Sequence, residues 1–292
     1  MSGGASAPSV VRRVLGWWFG WPASPSVNAN AVFDATPALA YLERLRGLGR
    51  EVSLHHLVAA AIGRVLLRHP AANARFFGGR LERVPDVGIA MPVNLLGHAE
   101  GARRELGLVV VEGAGTASLL EVAERTRGRV ASERVGRTEN GLIRALLGAS
   151  DGVPAWAVPQ ALGVADVLLG TRWGARAAFR AAPITTAVTN PGASFGAVEG
   201  AWFRGASVQI PQRLVHITTL WGVSVVQQEV VPVDGRAEVR PVLPVLLVFD
   251  HRVLDGVMAS RLLLTLAAIL GDPEGEFGPD GSRAGPVVAP GG

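Results

Sequence analysis

The stretch from Val245 to Gly256 constrains this sequence most, because an apolar run of five residues ends there in Asp-His-Arg-Val-Leu-Asp-Gly. The run is rich in branched and large apolar side chains and is too short for a membrane span, so it predicts a buried β-strand. Leucine and isoleucine recur at helical spacing from Val257 to Leu270, which predicts a helix. The polar cluster therefore lies at a strand-to-helix junction, where side chains are held rigidly but stay open to a ligand.

His251 is the side chain at this junction that is suited to acid–base chemistry. A neutral imidazole can take a proton from a thiol or hydroxyl and return it later in a reaction. Asp255 can fix the ring or the turn that carries it, and Gly256 lets the backbone bend. Taken alone, His-x-x-x-Asp-Gly fits equally well a hydrogen-bonded histidine that ends a buried strand.

The octapeptide Phe249-Asp-His-Arg-Val-Leu-Asp-Gly256 resembles the signature of the dihydrolipoamide acyltransferase subunits of 2-oxo acid dehydrogenase complexes. These subunits share their fold with chloramphenicol acetyltransferase. The resemblance implies an α/β (α+β) two-layer sandwich, in which helices flank a mixed sheet. Weaker matches at Asp34-Ala-Thr and Pro70-x-x-Asn73-Ala74 extend the resemblance over residues 27 to 273.

The resemblance also implies roles for single residues. His251 is expected to deprotonate a thiol that attacks an acyl thioester directly, and Asp255 to hold the motif in shape. The family's Ser-Asn-x-Gly falls on Thr189-Asn-Pro-Gly, so Thr189 is expected to donate to the oxyanion, although it also fits an ordinary strand residue. The substrate-binding residues implied are Asn190, Gly192 and Arg252. If His251 is not the base, His98 and His216 are the next candidates.

The chain is predicted to form one acyltransferase domain, residues 27–273, with two flanking segments. Residues 1–26 are predicted to be a partly disordered arm; its Trp-rich part, Val11–Pro22, is expected to pack on the domain or a neighbouring subunit, and the alternatives are a signal peptide or a membrane contact. Residues 141–182 are an apolar insertion of short helices, which either lines an acceptor pocket or thickens a subunit interface. Residues 274–292 are rich in Gly and Pro and are predicted to be a disordered tail.

Composition restricts the chemistry further. The 28 basic residues are all arginine and are spread along the chain, and the net charge is +4, so we do not expect nucleic-acid binding. The lack of Cys removes disulfides, a thiolate nucleophile and Cys-ligated metal. The lack of Lys removes Schiff-base chemistry and a covalently bound lipoyl group. The resemblance implies a coenzyme A thioester as co-substrate. We also expect no metal and a cytoplasmic location.

The leading hypothesis is a stand-alone acyltransferase that moves an acyl group, most simply acetyl, from a CoA or carrier-protein thioester to a small-molecule hydroxyl or amine. It depends on the absence of a lipoyl domain from this sequence. One alternative is the acyltransferase subunit of a 2-oxo acid dehydrogenase complex, acting on dihydrolipoamide. The other is an inactive trimeric scaffold. The resemblance implies a homotrimer, or an assembly of trimers, with the site between subunits.

Overall fold

The protein is described by a computed structural model that covers residues 25–77, 80–94, 106–135, 157–190, 209–210 and 216–286. Its main sheet contains strands β1 (Ser26–Asp34), β4 (Ile89–Asn94), β5 (Leu106–Val111), β6 (Thr186–Thr189), β7 (Thr219–Val223), β8 (Gln227–Val233) and β9 (Arg236–Asp250). A separate hairpin pairs β2 (Ala74–Phe77) with β3 (Arg80–Arg83). The helices are α1 (Thr36–Gly47), α2 (Leu54–Arg68), α3 (Leu119–Arg134), α4 (Val158–Gly170), α5 (Arg172–Ala181), α6 (Gly256–Gly271) and α7 (Pro273–Phe277).

The sheet is mixed, with the strand order β1-β9-β7-β6-β4-β5. Strand β6 runs parallel to both of its neighbours, and the other pairs are antiparallel. Strand β8 continues along β9 beyond the end of β7. This arrangement confirms the predicted mixed sheet with flanking helices.

Residues 242–250 of β9 are buried on both faces, as the apolar run predicts. Leu247 and Phe249 belong to the large core beneath the helices, where α2 packs against α3 and α6. Leu246 and Val248 belong to a smaller apolar cluster on the opposite face. A strand that faces two apolar layers has no solvent side, and this explains why its sequence does not alternate.

Local sequence signals set several element boundaries. Asp234 and Gly235 have φ angles of 48° and 77°, the left-handed pair that closes a two-residue hairpin between β8 and β9. Ser118 and Glu121 form a reciprocal capping box at the start of α3. The predicted short helices of the insertion are α4 and α5, and residues 141–156 lie outside the described residues.

The prediction of a disordered tail is wrong for residues 274–286. Helix α7 buries Phe277 completely, and the Tyr41 hydroxyl donates to the carbonyl oxygen of Gly278 at 2.7 Å. Farther along, the Gly285 N–H donates to the carbonyl oxygen of Thr116. The Gly- and Pro-rich composition indicated disorder, but backbone hydrogen bonds and the buried Phe277 hold this segment on the helical layer.

A buried arginine anchors the same segment. Arg64 of α2 is 1% exposed, its Nε lies 3.2 Å from Glu276 Oε1, and its Nη2 donates to the carbonyl oxygen of Arg283 at 3.2 Å. Its guanidinium also lies over the ring of Phe277. A buried cation requires such partners, so the helical layer is complete only when this segment is in place. Residues 287–292 and the arm through residue 24 lie outside the described residues.

Candidate active site

The turn after β9 places His251 at one end of the sheet. The His251 N–H donates to the carbonyl oxygen of Pro25 at 2.8 Å, and the Asp250 N–H donates to that of Thr218 at 2.9 Å. The imidazole is partly buried and tilts against the ring of Phe249, with the ring centroids 5.9 Å apart. The sheet therefore sets the position of His251 at the predicted junction.

Asp250 and Arg252 clamp this turn. The Asp250 carboxylate is buried and accepts hydrogen bonds from Arg252 N at 2.9 Å, Nε at 3.0 Å and Nη2 at 2.7 Å. The Arg252 guanidinium also lies 4.7 Å from the ring centroid of Phe76 in β2. These contacts give Arg252 a structural role, and its predicted binding of substrate stays a prediction. The sequence could have indicated the Asp250–Arg252 pair, because Asp250 directly follows an apolar strand and a buried carboxylate needs a cation nearby.

Asp255 caps helix α6, which begins at the next residue. Its Oδ1 accepts a hydrogen bond from the Met258 N–H at 2.8 Å. The cap fixes where the chain turns from the motif into the helix. This contact fits the predicted role of Asp255, which is to hold the motif in shape. The contact does not require a direct catalytic role for Asp255.

Thr189 lies at the end of β6 that is farther from His251. Thr189 pairs with Gly222, and Gly222 pairs with Leu246, which is five residues before His251. Five residues at about 3.3 Å and two strand spacings of about 4.8 Å separate Thr189 from His251 by about 20 Å. The structure does not bring these two predicted residues together within one chain. Asn190 follows Thr189 at the same end, and Gly192 lies outside the described residues.

His216, the alternative base, contacts the insertion. Its Nε2 donates to the carbonyl oxygen of Leu169 in α4 at 3.3 Å. Burial, and to a smaller extent the charge of Arg75, lowers the pKa of His216. A neutral imidazole that donates a hydrogen bond to α4 is suited to anchoring the insertion on the domain. His98, the other alternative, lies outside the described residues.

Comparison with known proteins finds a match over the part of the chain that contains His251. Residues 209–277 match the family model described as 2-oxoacid dehydrogenases acyltransferase (catalytic domain). The chain resembles the catalytic domain of these acyltransferases. The matched range contains His251, Arg252 and Asp255, and it confirms the predicted resemblance to an acyltransferase catalytic domain. Thr189 lies outside that range.

A curated relative and two solved structures agree with this likeness. The dihydrolipoyllysine-residue succinyltransferase component of the 2-oxoglutarate dehydrogenase complex of Rickettsia bellii is 30% identical over 81 residues, which are 28% of this chain and 19% of that protein. The cubic core of the pyruvate dehydrogenase multienzyme complex has a TM-score of 0.59 at 18% identity, covering 91% of this chain and 87% of that chain. A probable dihydrolipoamide acetyltransferase from Listeria monocytogenes has the same TM-score and identity, covering 92% of this chain and 95% of that one.

The structural likeness confirms the fold class that the motif implies. At 18% identity it extends to the fold alone, and this chain spans about a fifth of the curated relative. Among the helices that the structure describes, none is both long enough and apolar enough to cross a membrane.

Proposed function

We propose that this protein transfers an acyl group between a coenzyme A thioester and a thiol, the chemistry of the dihydrolipoamide acyltransferases that it resembles. The observation that supports this most is His251 at the end of β9, inside the region that matches the acyltransferase catalytic domain. The acceptor thiol would be a dihydrolipoyl group. Because this sequence has no lysine to which a lipoyl group could be attached, the dihydrolipoyl group would be carried by another polypeptide or be free in solution.

In the proposed reaction, His251 acts as a general base. A thiol with an ordinary pKa of about 8.5 is mostly protonated at neutral pH, so its attack on a thioester is slow without a base. The imidazole takes the thiol proton while the sulfur attacks the acyl carbonyl. The tetrahedral intermediate then expels the first thiolate, which receives the proton back from the imidazolium. The new thioester bond replaces the old one, and the proton count balances.

The oxyanion of this intermediate requires a hydrogen-bond donor, and Thr189 is the candidate. Since about 20 Å separates it from His251 in one chain, the Thr189 hydroxyl that serves a given His251 would come from a neighbouring copy. This requirement supports the proposed homotrimer, in which each site is built from two subunits. Cytoplasmic location and the size of any larger assembly stay predictions.

A stand-alone enzyme with a hydroxyl or amine acceptor is the second candidate. It is favoured by the insertion, because α4 and α5 contact His216 and the β2–β3 hairpin that carries Phe76, close to the turn of His251. An added apolar element at this end of the sheet could shape a site for a bulky acceptor, which a dihydrolipoyl group does not need.

The deciding experiment offers the purified full chain acetyl-CoA or succinyl-CoA together with dihydrolipoamide, or with a panel of hydroxyl and amine acceptors, and identifies products by mass spectrometry. We expect acyl-dihydrolipoamide, and we expect His251→Ala to lower kcat by about 10²–10⁴, the usual contribution of a positioned base. His216→Ala, at the same end of the sheet, is the matched control and should stay within a few-fold of the wild type. Acylation of a hydroxyl or amine alone would favour the stand-alone enzyme. Full activity of His251→Ala would reject the proposed base.

A further inference from the structure

The insertion displays an apolar surface to solvent, which we call the α4–α5 surface and define by Val164, Val167, Leu168 and Trp173. The three aliphatic residues are spaced three and four apart on α4, so they lie on one helical face. Val167 is 73% exposed, and Trp173 at the start of α5 is 83% exposed. Clusters of large exposed apolar side chains on a protein mark an interaction site more often than chance exposure.

The α4–α5 surface is held outward by contacts on its inner side. Both terminal nitrogens of Arg75 donate to the carbonyl oxygen of Ala175 at 3.1 Å, and the guanidinium stacks on the ring of Phe179. Arg176 forms two hydrogen bonds with Glu82, at 2.9 and 2.7 Å. These contacts fix α5 against the β2–β3 hairpin, so a rotation of α5 that buried Trp173 would break them.

Positive charge flanks the apolar side chains. Arg172 and Arg180 of α5 are exposed, whereas Arg176 of the same helix is paired with Glu82 on the inner side. Asp166 is the one acid in residues 158–181. Tryptophan beside arginine is the residue pair that suits the boundary between water and a lipid layer, since the indole spans both phases and the guanidinium binds phosphate. The charges therefore select for an anionic occupant.

We propose that the α4–α5 surface docks on an anionic lipid membrane, with Val167, Leu168 and Trp173 inserted at the level of the headgroups. A second copy of this chain fits less well, because the exposed Arg172 and Arg180 call for an anionic partner and the chain itself has a net charge of +4. An acidic protein would satisfy the arginines, but it would need a cleft for four protruding apolar side chains. A lipid layer accepts them without one.

Docking on lipid would orient the rest of the molecule. Helix α5 leads through Ala182 into the start of β6, and that start is level with Phe249 near the His251 turn. The His251 end of the sheet would then lie nearest the membrane. The inference does not depend on the proposed acyl transfer, because lipid binding can be measured with no acyl donor present.

The test is sedimentation of the full chain with phosphatidylcholine vesicles, with and without phosphatidylglycerol. We expect binding only when phosphatidylglycerol is present, and weakening as salt is raised. Val167→Asp and Trp173→Ala should each lower the partition coefficient by about tenfold, the effect of losing one buried large apolar side chain. Val230→Asp is the matched control, since Val230 is 69% exposed on the distant β8, and it should bind like the wild type.

Three results would overturn the proposal. The first is no binding to anionic vesicles by the folded wild type. The second is binding that Val167→Asp and Trp173→Ala leave unchanged, which would locate the lipid contact elsewhere in the chain. The third is self-association that Val167→Asp abolishes, without vesicle binding, which would assign the α4–α5 surface to a second copy. Circular dichroism melts of each variant show whether a loss of binding reflects unfolding.

Discussion

Thr189 lies at the end of β6 that is farther from His251, as the register of β6, β7 and β9 shows. Leu246 is the residue of β9 level with Thr189, and the chain runs five more residues before His251. A hydroxyl at one end cannot stabilise an oxyanion formed beside an imidazole about 20 Å away. If both residues act, they act across a boundary between two copies.

This geometry predicts complementation between inactive variants. His251→Ala and Thr189→Val should each be inactive alone, and mixed trimers refolded from equal amounts should regain about a quarter of wild-type activity, because one interface in four then combines both intact residues. The measurement is acyl-transfer rate after co-refolding, with separately refolded variants mixed afterwards as the control.

Thr189→Ser provides the chemical control, since it keeps the hydroxyl donor and removes a methyl group. We expect it to retain activity within a few-fold of the wild type. Co-refolded material that stays inactive, while each variant still assembles, would contradict a site shared between copies.

Asp255→Ala should lower stability together with activity. The variant loses the cap that accepts from Met258 N, which costs about 1 kcal/mol of free energy of unfolding. Asp255→Ser and Asp255→Asn keep a capping oxygen and should unfold at nearly the wild-type urea concentration. An Asp255→Ala variant with full stability and no activity would instead assign this carboxylate to the chemistry.

Arg252→Met should destabilise the protein by about 3 kcal/mol, because it leaves the carboxylate of Asp250 buried without its cation. The double variant Asp250→Asn with Arg252→Met should recover part of that loss, since no buried charge is then left unpaired. Both are measured by urea unfolding. Unchanged stability of Arg252→Met, with a raised KM for the CoA thioester, would support the predicted substrate contact.

His56 should make stability depend on pH. Burial, followed by the charges of His55 and Arg127, lowers the pKa of His56 to about 4, whereas an unfolded histidine titrates near 6.5. Between pH 4 and pH 6.5 the unfolded chain therefore binds more protons than the folded chain. The contribution of neutral His56 to the free energy of unfolding is complete above pH 6.5 and is lost as the pH falls toward 4.

The matched variant is His56→Gln, which keeps an acceptor for the Ser53 N–H in the capping box and does not titrate. Urea unfolding at pH 7 and pH 5 should show a smaller loss of stability for His56→Gln than for the wild type. Equal losses would mean that other groups account for the acid sensitivity.

Glu276→Ala should reveal how firmly the C-terminal segment is attached. It removes the carboxylate from buried Arg64, and we expect a loss of about 3 kcal/mol in the free energy of unfolding. Glu274→Ala removes the exposed partner of Arg44 two residues away and should cost less than about 0.5 kcal/mol. Similar small effects of both variants would mean that residues 274–286 contribute little to the fold.

The sequence by itself determined the features whose signals are local. The apolar run of β9, the left-handed pair at Asp234 and Gly235, and the cap at Ser118 each depend on a few consecutive residues, and each lies where the pattern predicts. His251 was found for the same reason, because strand, motif and helix follow one another in a single stretch.

Only the tertiary structure decided which distant residues meet. The order of strands separates Thr189 from His251, packing brings Phe76 onto Arg252, and buried Arg64 holds a segment whose composition indicated disorder. Strand order and the pairing of buried charges depend on contacts between residues far apart in the chain. Local periodicity contains no information about such contacts, because they depend on how apolar surface is buried and charges are paired over the whole folded chain.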